Sequence, residues 1–316
     1  MKYLSIHQLL VTKARSVLTL HRHPDLDSIG SNLALAHILT KLGHEVTLYS
    51  NDEIPEDFLF LPGAQDILIL PAAEIPWNTF DVYWALDMAE IDRMGATQHP
   101  SGLHTVVIDH HDTNEGWGTV NIVERDQAAT ATILLHIMND LHIEIDEVTA
   151  QCLLTGIAGD TGFFKYAVTP EILADAAFLI EHGADYDMLT NRILNQMDFA
   201  DLQFTAAVLQ RAKLYPEKKC MLISIPNDIW KDLGKGGTKD IYIVKYLAEI
   251  KDTLFGGLLI EEEPGNIRVR FRSHDSQYNV AELAQKFGGG GHTRASGAQV
   301  LGKGLEELIE EILEAV

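Results

Sequence analysis

Residues 16–31, SVLTLHRHPDLDSIGS, carry the transition on which the fold turns. Ser16–Leu20 is a short, largely apolar run, the mark of a strand covered on both faces. The polar stretch His21–Ser31 leads from it into a helical pattern over Gly30–Leu42, which Gly43 stops. Glu45–Tyr49 then reads as a second strand. Strand, helix, strand in this order predicts an α/β fold with a doubly wound parallel sheet. Ligands gather beyond the carboxyl ends of the strands in such sheets, so the turn after residue 20 stands where chemistry is expected.

That turn holds His21, Asp25 and Asp27 in the spacing His-x3-Asp-x-Asp. Acids here are often mere helix caps. The same arrangement recurs, however. Val82–Leu86 (VYWAL) reads as a strand and Asp87 follows it; Thr105–Ile108 (TVVI) reads as another, followed by Asp109, His110 and His111. A fourth acid, Asp160, lies between glycines in GIAGDTG at 156–162, after a long apolar helix. The strand ends converge if the sheet is parallel. Four carboxylates (Asp25, Asp27, Asp87, Asp160) with His21 and one of His110 and His111 form a hard N/O donor set. Such a set suits manganese, magnesium or iron(II) better than structural zinc.

Composition narrows the field. The 316 residues suit two domains better than one. With 24 Lys and Arg against 46 Asp and Glu, the net charge of −22 argues against coating long nucleic acid, which needs an extended basic surface. A small anionic substrate remains open. Cys152 and Cys220 lie in apolar surroundings and read as core thiols of a reduced compartment. No apolar run reaches the roughly 20 residues of a membrane span, and the amino terminus lacks a signal peptide's apolar core. The expectation is a soluble, cytoplasmic protein without a membrane partner.

The chain reads mostly as helix over 130–204, with a domain boundary around 190–205. The expected division is a catalytic domain over 1–190, a linker over 191–204 and a smaller α/β domain with a mixed sheet over 205–316. Strand candidates there are Cys220–Ile225, Phe255–Ile260 and Ile267–Phe271; a helix, Val280–Phe287, runs into Gly288–Gly291. An amphipathic helix is expected from Glu306. Alternation places Arg268, Arg270 and Arg272 on one strand face. With Lys286 and Arg294 they outnumber Asp275 and Glu282, a local basic strip in an acidic chain. Successive glycine N–H groups suit a phosphate.

HRHPDLDSIGS at 21–31, ALD at 85–87, DHH at 109–111 and GDTG at 159–162 resemble, in order, the four motifs of the DHH phosphoesterase superfamily. NIRVRFRS at 266–273 and GGGGHTRASG at 288–297 resemble its associated carboxyl-terminal domain, so nearly the whole chain is covered. The subgroup it is most similar to is the NrnA type: oligoribonucleases that also dephosphorylate 3′-phosphoadenosine 5′-phosphate (pAp), with relatives that cleave dinucleotides.

The resemblance implies two Mn2+ ions, with Mg2+ or other divalent ions as substitutes. His21, Asp25 and Asp87 would hold one; Asp27, Asp87, His110 and Asp160 would hold the other, with Asp87 bridging. His111 would face the substrate phosphate and Asp109 would orient an imidazole. A hydroxide generated between two ions about 3.5–4 Å apart would attack phosphorus. Arg272, Ser273, Gly289, Gly290, Gly291 and His292 would bind substrate, with Arg93 and Asn114 as candidates nearer the motifs. A cleft between the domains would admit short RNA or DNA oligonucleotides, dinucleotides or pAp and exclude long nucleic acid. A homodimer follows by the same analogy. Leu26 stands where many relatives have glycine.

A manganese pyrophosphatase or polyphosphatase is the nearest alternative, and the GGGGH loop counts against it. A catalytically inactive nucleotide sensor should have lost carboxylates, whereas Asp25, Asp27, Asp87 and Asp160 are all present.

Overall fold

The computed structural model describes residues 3–96, 100, 102–195, 198–232, 241–273 and 278–316, and the chain divides into two compact units, Met1–Gln196 and Met197–Val316. In the first unit the strands are β1 (Arg15–Thr19), β2 (Glu45–Ser50), β3 (Leu68–Ile69), β4 (Val82–Leu86), β5 (His104–Asp109) and β6 (Val120–Val123). Every pair is parallel, in the order 3-2-1-4-5-6. The chain winds outward from β1 through β2 and returns to lay β4 on β1's other side. The switch point therefore falls between β1 and β4, where an open sheet of this type binds its ligand.

The α-helices are α1 (Leu4–Val11), α2 (Leu26–Lys41), α3 (Thr130–Asp140), α4 (Glu147–Asp160), α5 (Pro170–Glu181) and α6 (Tyr186–Ile193). One sheet face packs Leu18, Trp84, Val106 and Ile108 against apolar residues of α1 to α6. Val17, Tyr83, Ala85 and Val107 line the other face, beneath short 3-10 turns that contribute Ala72, Trp77 and Met94. Among the described residues no α-helix joins that second cluster. VYWAL is buried along its whole length, which is why it reads as a continuous apolar run rather than an alternating one.

Helix α2 starts at Leu26, four residues before the expected Gly30. Asp25 is its N-cap: the carboxylate accepts from Ser28 N–H at 3.0 Å. Gly30 lies inside the helix because α2 crosses α4 at close range. A Cβ at Gly30 would meet Cys152 O at 2.4 Å, and one at Gly159 would meet Leu26 Cβ at 2.5 Å.

The second unit contains α7 (Phe199–Leu209), β7 (Ala212–Tyr215), β8 (Cys220–Ile225), α8 (Asn227–Asp232), α9 (Ile241–Leu247), β9 (Phe255–Glu263), β10 (Asn266–Arg272), α10 (Val280–Gln285), β11 (Gly290–His292), β12 (Ala295–Leu301) and α11 (Leu305–Glu314). Its sheet runs 11-12-10-9-8-7 and is mixed: β8 pairs parallel with β9, the other neighbours antiparallel. In α11, Leu308 and Ile312 are buried and the acids line the opposite face. Both cysteines are buried and unpaired. Among the described residues no helix is long and apolar enough to cross a membrane.

Candidate metal centre

Three strand ends and two helix ends deliver the candidate ligands. His21 and Asp25 follow β1, Asp87 follows β4, His110 follows β5, Asp27 opens α2 and Asp160 closes α4. His21 Nε2 stands 3.4 Å from Asp87 Oδ2 and 3.6 Å from Asp25 Oδ1. His110 Nε2 stands 3.1 Å from Asp160 Oδ2 and 3.5 Å from Asp87 Oδ1. Three groups emerge whose donor atoms all lie within 4.8 Å of one another: His21, Asp25, Asp87; Asp27, His110, Asp160; and Asp87, His110, His111. Asp87 and His110 are each shared by two groups.

The imidazoles are held at their far side. His21 Nδ1 lies 2.9 Å from Arg22 O, and His110 Nδ1 lies 3.3 Å from Gln127 O. Protonated Nδ1 donating to a carbonyl leaves Nε2 toward the carboxylates, the usual outer support of a metal-ligating histidine. Asp27, fully buried, accepts from Thr130 N–H at 2.6 Å and Ala131 N–H at 3.0 Å, while Thr130 Oγ1 donates to Asp87 Oδ1 at 3.2 Å. Thr130 carried no signal in the sequence, because its role comes from the start of one helix docking on the first turn of another, over a hundred residues away.

Burial opposes charge on His21, but Asp25 and Asp87 outweigh it and push the imidazole up to about 10. Burial likewise opposes charge on His110, and Asp160 and Asp87 push it up to about 12. Burial works against ionised Asp87, yet His110 and His21 hold its carboxyl below the usual range. Burial raises Asp160 to about 6, with His110 pulling the other way. Burial, then the charges of Asp87 and Asp160, also push Asp27 up. So many acids under low solvent demand positive charge at their centre, and the oxygen and imidazole donors, with no thiolate, fit a hard divalent cation.

The sequence matches the description "DHH family, N-terminal domain" over residues 15–157 and "DHHA1 domain" over residues 238–316. It is 32% identical over 299 residues to the bifunctional oligoribonuclease and PAP phosphatase NrnA of Thermus thermophilus, covering 94% of this chain and 87% of that protein. The chain belongs to the DHH family. The NrnA of Bacillus subtilis is 27% identical over 292 residues, covering 89% of this chain and 88% of that one. Among solved structures, an exopolyphosphatase-related protein from Bacteroides fragilis superposes with a TM-score of 0.92 at 26% identity, covering 98% of this chain and 95% of the other. This DHH member is a hydrolase.

Within the DHH motif itself, Asp109 is fully buried and accepts from His111 Nδ1 at 2.8 Å and from His110 N–H at 2.9 Å. Asn114 is expected from the sequence to touch substrate. It is fully buried, and its amide group donates to Asp109 Oδ2 at 2.6 Å and to Met88 O at 3.2 Å. It anchors the acid that holds His111. Arg93 is exposed, and its carbonyl accepts from Arg22 N–H at 2.6 Å, tying the His21 loop to the segment after Asp87. Gly159 leaves room for the side chain of Leu26, whose Cβ would lie 2.5 Å from a Cβ at that glycine.

In the second unit of this DHH protein, Arg268, Arg270 and Arg272 share one face of β10, alternating with buried Ile267, Val269 and Phe271. Arg268 Nε donates to Glu262 at 2.7 Å. Ser273, expected from the sequence to bind substrate, is buried, and its hydroxyl donates to Leu254 O at 2.7 Å. Asp275 lies outside the described residues. The glycine run has a structural cause as well. A Cβ at Gly289 would meet Gly297 O at 2.0 Å and one at Gly291 would meet Ala295 O at 2.6 Å, whereas one at Gly290 would meet nothing within 4 Å. His292 ends β11 and is exposed.

Proposed function

We propose that the chain is a manganese-dependent phosphoesterase that releases mononucleotides from short oligonucleotides and dinucleotides and dephosphorylates pAp. The observation that carries this reading is the convergence of seven side chains with N/O donors in three groups that share Asp87 and His110. His21, Asp25 and Asp87 would hold one divalent ion, and Asp27, Asp87, His110 and Asp160 would hold a second. Divalent ions so held acidify water and neutralise charge on phosphoryl oxygens.

The chain's own groups do the rest. Asp109, fixed by Asn114, holds the Nδ1–H of His111; His111 is assigned to the phosphoryl oxygen through its other nitrogen. Arg272, Gly290 and His292 are assigned to the remaining part of the substrate, and exposed Arg93 to a phosphate near the centre. The net charge of −22 supports short anions over long polymers. The curated relatives named as oligoribonuclease and PAP phosphatase support the substrate class. Likeness to an exopolyphosphatase-related protein keeps inorganic polyphosphate and pyrophosphate as the second reading.

The test is incubation with Mn2+ and a panel of pApA, short RNA oligomers, c-di-AMP, pAp and pyrophosphate, beside Asp87→Ala. Mononucleotide release from the short RNAs, lost in the variant, supports the proposal. Turnover of pyrophosphate alone would replace the substrate class and leave the metal centre standing.

A further inference from the structure

Thr130 opens α3 and is fully buried. Helix α3 has no cap of its own, since the preceding residue is Ala129 with no side-chain hydrogen bond. The carboxylate of Asp27 serves instead, taking the N–H groups of Thr130 and Ala131 on its two oxygens. The hydroxyl of the same threonine donates to Asp87 Oδ1. Thr130 therefore touches one carboxylate of each of the two donor groups, His21–Asp25–Asp87 and Asp27–His110–Asp160.

Asp87 has a need for such a contact. Its backbone is fixed: φ is +57°, and its N–H donates to Ile108 O at 3.0 Å. Its carboxylate is attached through a soft, two-fold torsion. In the structure Oδ2 lies 3.4 Å from His21 Nε2 and Oδ1 lies 3.5 Å from His110 Nε2, so rotation about that torsion changes both distances. The two imidazoles cannot be what sets it in a loaded centre, because a nitrogen that ligates a cation no longer carries a proton to donate. The threonine hydroxyl keeps its proton whether or not an ion is bound.

We infer that Thr130 is a positioning residue of the metal centre, its hydroxyl fixing the rotation at which Asp87 divides its oxygens between the two donor groups. The inference rests on reading these groups as a divalent-cation centre.

Metal-free wild type, Thr130→Val and Thr130→Ser are titrated with MnCl2 by calorimetry, and the metal-free proteins are melted. Valine keeps the shape and the N–H bonds to Asp27 and removes only the hydroxyl. The expected result is a loss of about 10–100-fold in Mn2+ affinity for Thr130→Val, recovery in Thr130→Ser, and similar melting of the metal-free proteins. Should the valine variant fold poorly, Thr130→Ala against Thr130→Ser isolates the same hydroxyl. Equal Mn2+ affinity in wild type and the hydroxyl-free variant overturns the inference alone, as does a serine variant as weak as valine. A wild type that takes no Mn2+ instead brings down the metal-centre reading beneath it.

Discussion

His110 Nε2 and Asp160 Oδ2 stand 3.1 Å apart, although the histidine leaves a strand and the aspartate closes a helix far along the chain. Their meeting depends on how closely α4 lies on α2. Where the two helices cross, Gly30, Gly156 and Gly159 leave no room for a Cβ. That approach lets the end of α4 reach the strand ends around Asp87. The centre is thus built by backbone packing as much as by its ligands.

Gly156→Ala should therefore injure the centre from behind. The added Cβ would fall 2.6 Å from both Asp27 Oδ1 and Ala131 Cβ. Neither neighbour yields easily, because Asp27 is bonded to the first turn of α3. Overpacking of this kind costs roughly 1–3 kcal/mol, or several degrees of melting temperature in a unit of this size. We expect that loss together with weaker Mn2+ binding; an alanine variant that melts and titrates like wild type would refute the packing argument.

Asn114→Ala separates two roles by kinetics. A residue that contacts substrate raises KM when truncated, whereas one that holds the acid behind His111 lowers kcat. Full burial and the 2.6 Å bond to Asp109 favour the second. The expected outcome is a kcat reduced about 10–100-fold with KM nearly unchanged, read from steady-state rates on pAp. A rise in KM at constant kcat would return Asn114 to the substrate.

The six residues expected to hold metal were visible in the sequence because they cluster in the short polar turns that follow apolar runs, or between glycines, and strand ends in a parallel sheet meet. What escaped reading depends on contacts distant in sequence. The start of α2 was hidden because its first turn, Leu26–Ser28, is mostly polar and lacks an apolar period. Strand β6 has a single buried residue and β12 is buried only at alternate positions, so both lack the continuous apolar run of β4. Asn114 and Ser273 lie near motifs, but nearness along the chain does not say whether a side chain turns inward, and both do. Thr130 looks like any helix-opening threonine until the docked carboxylates are seen.

His136 offers a pH test away from the metal centre. Its Nε2 lies 3.0 Å from Asp175 Oδ2 across α3 and α5, and that bond raises the imidazole above its ordinary value, with burial opposing. A histidine raised on folding stabilises below its unfolded pKa near 6.5, and the gain is lost as pH rises through the folded value. Asp175→Asn should thus lower the melting temperature clearly at pH 6 and much less near pH 9, by about 1 kcal/mol at the acidic end. NMR titration of His136 should show its pKa fall in the variant. An equal melting deficit at both pH values would mean the pair acts by packing alone.

The glycine run after α10 separates fold from recognition within three residues. Gly289 packs its Cα side against β12, where an added Cβ would fall 2.0 Å from Gly297 O, a backbone atom that cannot swing aside. Gly290, the next residue, opens onto empty space. Gly289→Ala should therefore break the pairing of β11 with β12, lowering stability by about 1–3 kcal/mol. Gly290→Ala should melt like wild type, since nothing crowds the new methyl. If Gly290 N–H approaches the substrate as proposed, the methyl obstructs that approach and raises KM for short RNA while leaving Mn2+ binding unchanged. Normal KM in a well-folded Gly290→Ala would remove the glycine run from substrate recognition and leave it as the hinge of a tight hairpin.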